Sequence, residues 1–241
     1  MPAPRYSIVL PVFNEAANIG PFCRRAVHEL PPDFELLVCH DMPEDTTLPT
    51  LAALPAAEKP ALLRPVLNTL GPGVRYAIEA GMRAARAPVV VVMMADLSDD
   101  FAKVERMVAL CEAGNAVACA SRYMPGGKQI GGPWLKGLMS RVAGVTLHRF
   151  AGLPTHDPTN SFKAYRKAFL DRTPIESTAG FCLGLELTVK AHLQGHRVSE
   201  VPAKWWDRTE GQSRFKLWKW LPHYLKWYLY GFTSRRRTRQ N

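Results

Sequence analysis

The chain holds only five cysteines in 241 residues, and no two of them form a C-x-x-C pair. Cys23, Cys39, Cys111, Cys119 and Cys182 are scattered, several inside apolar runs, which excludes a zinc or disulfide framework and points to reduced, cytoplasmic thiols. Phosphate loops of the dinucleotide or P-loop type are missing too, because Gly71-Pro-Gly73 has neither spacing. The first apolar run, Tyr6 to Phe13, is short and lacks a charged n-region and a cleavage site, so no secretory leader is expected. Repeats and low-complexity blocks are also absent. What remains is ordinary globular material, 47% apolar and 22% charged, enough for one large domain with a small appendage.

Acidic residues are scarce at the C-terminal end. From Ala203 onward ten basic residues face only Asp207 and Glu210, which puts +8 of the net +10 charge in the last 39 residues. A basic tail suits anionic membranes or nucleic acid. Its neighbours decide for the membrane and against nucleic acid: Leu217 to Phe232 is dense in Trp and Tyr, the residues of the membrane–water interface. Lys216, Lys219, His223 and Lys226 share one helical stripe, and Pro222 is expected to break or kink this helix unless it opens a second one. The segment is too short and too charged to span a bilayer.

Upstream, apolar runs and amphipathic stretches alternate. Strands are predicted at Tyr6–Leu10, Glu35–Cys39, Ala61–Val66, Val89–Met94 and Ala116–Ser121. Helices fall near Ala16–Glu29, Leu48–Leu54, Gly73–Arg86 and Phe101–Ala113, an order that gives an α/β fold with a mostly parallel, Rossmann-like sheet. From Arg122 glycines, prolines and aromatics become frequent, marking a change of role.

Chemistry gathers where strands end. After the valine run 89–92, Asp96 and Asp99 stand at the sheet edge where open α/β folds bind ligands, and a carboxylate there can hold a divalent cation against a diphosphate. Ser98 or Asp99 as a cap on the next helix is the plainer expectation. Pro11 sets a turn before Asn14 and Glu15, which can reach a sugar, a base or the next helix; Asp41 can accept from a base or ribose, and Asp45 caps the helix near Thr46.

These residues resemble the inverting family 2 glycosyltransferases of the GT-A fold, in particular the dolichol-phosphate mannose synthase and polyprenyl-phosphate glycosyltransferase group. The likeness runs from Tyr6 to Lys216. Pro11-Val-Phe-Asn-Glu15 looks like the family's P-x-x-N-E, His40-Asp41-Met-Pro-Glu-Asp45 like D-D-x-S-x-D, and Gly71-Pro-Gly-Val-Arg-Tyr-Ala77 like its G-x-G-x-A helix start. Ala95-Asp96-Leu-Ser98 resembles the end of D-A-D-L-Q, and Ser121-Arg122-Tyr-Met-Pro-Gly-Gly127 resembles S-R-Y-x-x-G-G. Asp157 to Tyr165 is close to D-x-T-S-G-F-R-A-Y, and Glu200-Val-Pro202 with Asp207 to Ser213 closes the series, resembling E-V-P and D-R-x-x-G-x-S-K.

The resemblance implies a domain over 1–212, with a nucleotide-sugar half (1–121) and an acceptor half (122–212), followed by a membrane-associating tail over 213–241. It implies catalytic roles for Asp157 and Arg208. It also implies donor contacts from Pro11, Phe13, Glu15, Asp41, Asp96, Arg122, Ser213 and Lys216, and Mg²⁺ or Mn²⁺ on Asp96 and Ser98. The expected partners are a nucleotide sugar, a lipid phosphate, an anionic membrane surface at the cytoplasmic face and a membrane protein. Transfer to a soluble acceptor and a non-catalytic nucleotide-sugar-binding role are the alternatives. Met94 stands where the family has its first metal aspartate, and a thioether is a poor ligand for a hard cation. His40, Asn160-Ser161 and Arg214-Phe215-Lys216 depart from the pattern as well.

Overall fold

The computed structural model describes residues 3–207 and 217–233. The five apolar runs form β1 (Tyr6–Pro11), β2 (Phe34–His40), β3 (Leu62–Leu67), β4 (Val89–Val92) and β5 (Val117–Ser121). Between them lie α1 (Ala16–Glu29), α2 (Thr47–Ala53), α3 (Val74–Ala84) and α4 (Val104–Glu112). Strands β1, β2, β4 and β5 are buried throughout, as continuous apolar strands covered on both faces must be.

Past Ser121, where the expected strands stop, four more occur: β6 (Lys128–Ile130), β7 (Lys163–Arg166), β8 (Val198–Pro202) and β9 (Lys204–Trp206). Helices α5 (Trp134–Thr146), α6 (Lys167–Leu170), α7 (Cys182–Leu193) and α8 (Leu217–Tyr230) accompany them, and a π turn at Leu147–Ala151 prolongs α5. The main sheet has the order β3-β2-β1-β4-β7-β5-β8, while β6 and β9 form a separate parallel pair.

Strand β7 runs antiparallel between β4 and β5, the one reversal in a sheet whose other pairs are parallel. Its first residue, Lys163, therefore lies opposite Val92, the last residue of β4. The loop entering β7 is thereby brought to the sheet edge where its parallel neighbours end.

Alternation along each strand sorts the core into two layers. Tyr6, Ile8 and Leu10 pack with Phe22 of α1 and Met107 of α4, whereas Val9, Leu37 and Val92 pack with Ile78 of α3 and Leu187 of α7. A third cluster joins Leu147, Leu185, Val189 and Trp227, fastening α8 to α7. Pro222 neither ends nor divides α8, which corrects the expected break. The helix is held by tertiary packing around Trp227, which outweighs the missing N–H. No helix among the described residues is long and apolar enough to cross a membrane. All five thiols are free and buried, and burial pushes Cys23 to about 11 and Cys39, Cys111 and Cys182 to about 12.

Candidate active site

The end of β1 is organised by a non-glycine residue in the left-handed region. Asn14 has φ +56°, its N–H donates to both Asp45 oxygens at 3.1 Å, and its Oδ1 accepts from the Thr46 N–H at 3.1 Å. Asp45 also accepts from the Thr47 N–H at 2.9 Å, so it serves α2 as expected and clamps the β1 loop besides. Glu15 precedes α1, donating through its N–H to Thr47 Oγ1 and accepting from Asn18 Nδ2 at 2.6 Å. Pro11 is buried at the end of β1, and Phe13 stands 39% exposed at the edge.

Asp41, just after β2, is fully engaged. One oxygen accepts from Asn68 Nδ2 at 2.7 Å and the other from the Gly73 N–H at 2.8 Å, where Gly73 has φ +104° and opens α3. Asp41 thus shapes the loop that starts α3. His40 turns its Nδ1 to the Met42 carbonyl at 2.9 Å.

After β4 the chain makes a strained turn. Leu97 has φ +62°, the only other non-glycine residue in that region among those described, and such strain collects at functional sites. Asp96 stands partly buried, its Oδ1 accepting from the Ser98 N–H at 3.2 Å. Neither Ser98 nor Asp99 caps the next helix, which corrects that expectation: Asp99 accepts instead from the Met94 N–H at 2.8 Å, closing the turn on itself. Asp99 is 2% exposed, and burial, with Asp96 and Asp100 nearby, pushes its carboxyl up to about 8. Ser98 is buried, and its carbonyl accepts from the Trp206 N–H at 3.1 Å. No group of three or more His, Cys, Asp or Glu side chains suited to a metal ion occurs among the described residues. Asp96 is a hard oxygen donor of the kind that Mg²⁺ or Mn²⁺ would take.

Near this turn, β5 is followed by Arg122, which meets Asp157 from the loop that enters β7. Arg122 Nε donates to Asp157 Oδ2 at 2.6 Å and its Nη2 to Oδ1 at 2.9 Å, while its backbone N–H adds a third bond at 3.1 Å. Asp157 is fully buried and also accepts from Thr159 Oγ1. Arg122 Nη2 donates in addition to Ser140 Oγ of α5 at 3.0 Å, and its guanidinium lies over Tyr123. Burial alone would lower the Arg122 pKa, but the Asp157 charge and hydrogen bonds raise it above the ordinary value. Neither a surface pair nor a free carboxylate describes these two: they form one buried, bidentate unit.

Three further residues support the site. Glu200 of β8 binds the His156 N–H at 2.8 Å and His156 Nδ1 at 2.6 Å, fixing the residue before Asp157. Lys163 is fully buried and donates to the carbonyls of Pro158 (3.0 Å) and Asn160, and burial holds its ammonium pKa below the usual lysine value. Lys204 N–H donates to Asp100 at 3.1 Å, tying β9 to the Asp96 turn. Glu200 sits in the E-V-P segment and Lys163 at the motif's basic position, so both were visible as motif residues without their partners. Arg208, Ser213 and Lys216 lie outside the described residues.

The chain matches the family model for glycosyl transferase family 2 over residues 7–173. It is 30% identical over 219 residues to the polyprenol monophosphomannose synthase of Mycolicibacterium smegmatis, covering 88% of this chain and 82% of that protein. The dolichol-phosphate mannosyltransferase of Pyrococcus furiosus is 27% identical over 234 residues, which is 92% of this chain and 64% of that protein. Among solved structures, glucosyl-3-phosphoglycerate synthase from Mycobacterium tuberculosis, in complex with Mn²⁺, UDP and glucosyl-3-phosphoglycerate, aligns with a TM-score of 0.65 at 17% identity. The match covers 96% of this chain and 80% of that one, and at such identity it speaks for the fold alone.

Proposed function

Because the chain belongs to glycosyl transferase family 2, we propose that it moves a sugar from a GDP- or UDP-linked donor to a polyprenyl or dolichyl phosphate, with inversion, at the cytoplasmic face of a membrane. The observation that carries the acceptor is the naming of two relatives, at 30% and 27% identity, for polyprenol or dolichol phosphate chemistry.

Glycosyl transfer builds oxocarbenium character on the sugar and negative charge on the departing nucleoside diphosphate, so positive charge aimed at that diphosphate is the principal aid. Asp96 would hold a divalent cation, which when bound would supply such charge. Arg208 and Lys216 supply more from the protein, in accordance with their motif positions. The nucleotide side of the cleft is built by Pro11, Phe13, Glu15 and the loop that Asp41 fixes. A lipid phosphate is already anionic near neutral pH and needs little help from a base. Asp157 accordingly acts as an orienting group, holding Arg122 at the acceptor side of the cleft. The tail over 213–241 brings the enzyme to an anionic membrane and to a membrane-protein partner.

A panel of GDP- and UDP-sugars, with and without polyprenyl phosphate, tests this by nucleoside diphosphate release. Release that requires the lipid supports the reading. Release without it assigns a soluble acceptor or water, and no release from any donor favours a non-catalytic role.

A further inference from the structure

The two stretches of chain that carry most of the exposed apolar side chains are also the two longest that lack acidic residues. No Asp or Glu occurs between Glu112 and Asp157, and none follows Glu210. Arg122, Lys128, Lys136, Arg141 and Arg149 occupy the first stretch. Nine of the twelve large apolar side chains that stand exposed among the described residues fall in these stretches, so the coincidence is not a general property of the surface.

Helix α5 shows why this is an outward face and not a loosely packed inner one. Its inward side is spoken for: Ser140 meets Arg122, and Gly144 is pressed against the His156 backbone. Trp134, Leu135, Leu138, Val142 and Val145 lie within roughly 100° of one another around the axis, on the other side. Trp134 is 76% exposed, Leu138 50% and Val142 52%. Phe150, 53% exposed, follows in the π turn. At its C-terminal end α5 meets α8 through a 2.9 Å bond between Thr146 Oγ1 and Tyr228 Oη. Leu225, Leu229 and Tyr230 of α8 are exposed as well.

We infer that the outer stripe of α5, with the adjoining turns of α8, is a docking surface for an anionic phospholipid bilayer. An apolar stripe flanked only by cations is the signature of a helix that lies in the interface plane, its apolar side chains among the acyl chains and its lysines and arginines at the headgroups. A soluble protein partner would need acidic groups to match the same rim. The inference rests on the proposed lipid acceptor and deepens it: the helix whose inner side touches Arg122 is the one whose outer side meets the membrane. Contact would therefore be made close to the acceptor half of the cleft, independently of the arginine-rich tail.

The test uses the full chain and vesicles of phosphatidylcholine with and without phosphatidylglycerol, read by co-sedimentation. Wild type is expected to bind the anionic vesicles and to keep a bound fraction at about 1 M salt, where charges more than about 3 Å apart are screened. The L138E/V142E variant is expected to lose at least tenfold in partition at both low and high salt. Its turnover of a short, water-soluble prenyl phosphate should remain within twofold of wild type. Trp134→Ser, at the most exposed position, should lose binding in the same direction and decides the matter if the double variant fails to fold. Unchanged partition of both variants overturns the inference. So does a wild-type dimer in light scattering that L138E/V142E converts to monomer without altering vesicle binding, because the stripe would then belong to a second copy of the chain. Absence of turnover on the short acceptor in wild type would instead overturn the lipid-acceptor reading while leaving the vesicle result to stand.

Discussion

Asp96 is the single charged residue that the motif leaves for a donor-side cation, since Asp99 is spent on the Met94 N–H and Met94 itself offers only a thioether. Asp96→Ala is therefore expected to cut transfer by about 100-fold or more with an unchanged urea midpoint; near-wild-type turnover would remove Asp96 from the site. Met94→Asp should make the metal-free protein less stable, by adding a third carboxylate beside Asp96 and Asp99, and should raise the Mn²⁺-dependent gain in melting temperature. Across the cleft, Arg122→Ala strands the buried Asp157 carboxylate, for which a loss of about 3–5 kcal/mol in urea unfolding is expected, part of it recovered in the Arg122→Ala/Asp157→Ala double variant. A loss below about 1 kcal/mol would mean that the pair is solvated. Glu35 gives the pH dependence. Burial raises its carboxyl pKa, but Ser7, the Arg86 N–H and Arg64 lower it further, and the net value lies below that of the unfolded chain. Its contribution is thus fully present above the ordinary carboxylate range and is lost as pH falls through the depressed folded value. Glu35→Gln should cost about 1–3 kcal/mol at pH 7, and its difference from wild type should shrink steadily as the pH drops below about 4.

At the scale of elements, helix α5 is positioned by one missing methyl group. A Cβ on Gly144 would stand 1.9 Å from the His156 carbonyl oxygen, which is backbone and has no free rotation with which to retreat. Gly144→Ala should lift α5 from the loop before β7, draw Ser140 away from Arg122, and lower both the urea midpoint, by about 1–3 kcal/mol, and kcat. An unchanged kcat would uncouple the helix from the reaction. The elements legible in the sequence were those with strong local signals: β1, β2, β4 and β5 announce themselves as unbroken apolar runs closed by turn residues. Strands β6, β7 and β9 have three or four residues each and owe their existence to distant partners, so no window of sequence contains their signal. The same holds within the site. Asp96, Arg122 and Asp157 could be picked out by type and motif, but that Arg122 and Asp157, 35 residues apart, would pair with each other depends on the reversal of β7. Asp99 went to Met94 and not to a helix cap because a buried strand end with an open N–H competes for the same carboxylate.

For the whole molecule, the uneven charge yields a measurable expectation. Replacing Arg235, Arg236, Arg237 and Arg239 by Gln removes four positive charges, each contributing on the order of 1 kcal/mol at an anionic surface. Vesicle binding should weaken at low salt and change little at high salt, with turnover on a short lipid phosphate retained; unchanged low-salt binding would leave the tail without a membrane role. The antiparallel strand inside the sheet bears on how the protein comes to exist at all. As the chain leaves the ribosome, β4 and β5 are complete by Ser121, yet the strand that joins them ends at Arg166. Until some 45 further residues have emerged, each of these two valine- and alanine-rich strands has an open edge of unpaired N–H and C=O groups, the template on which nascent chains pair with one another. The first half of the protein is thus obliged to wait for the second, and the interval of greatest risk during synthesis is set by the position of four residues.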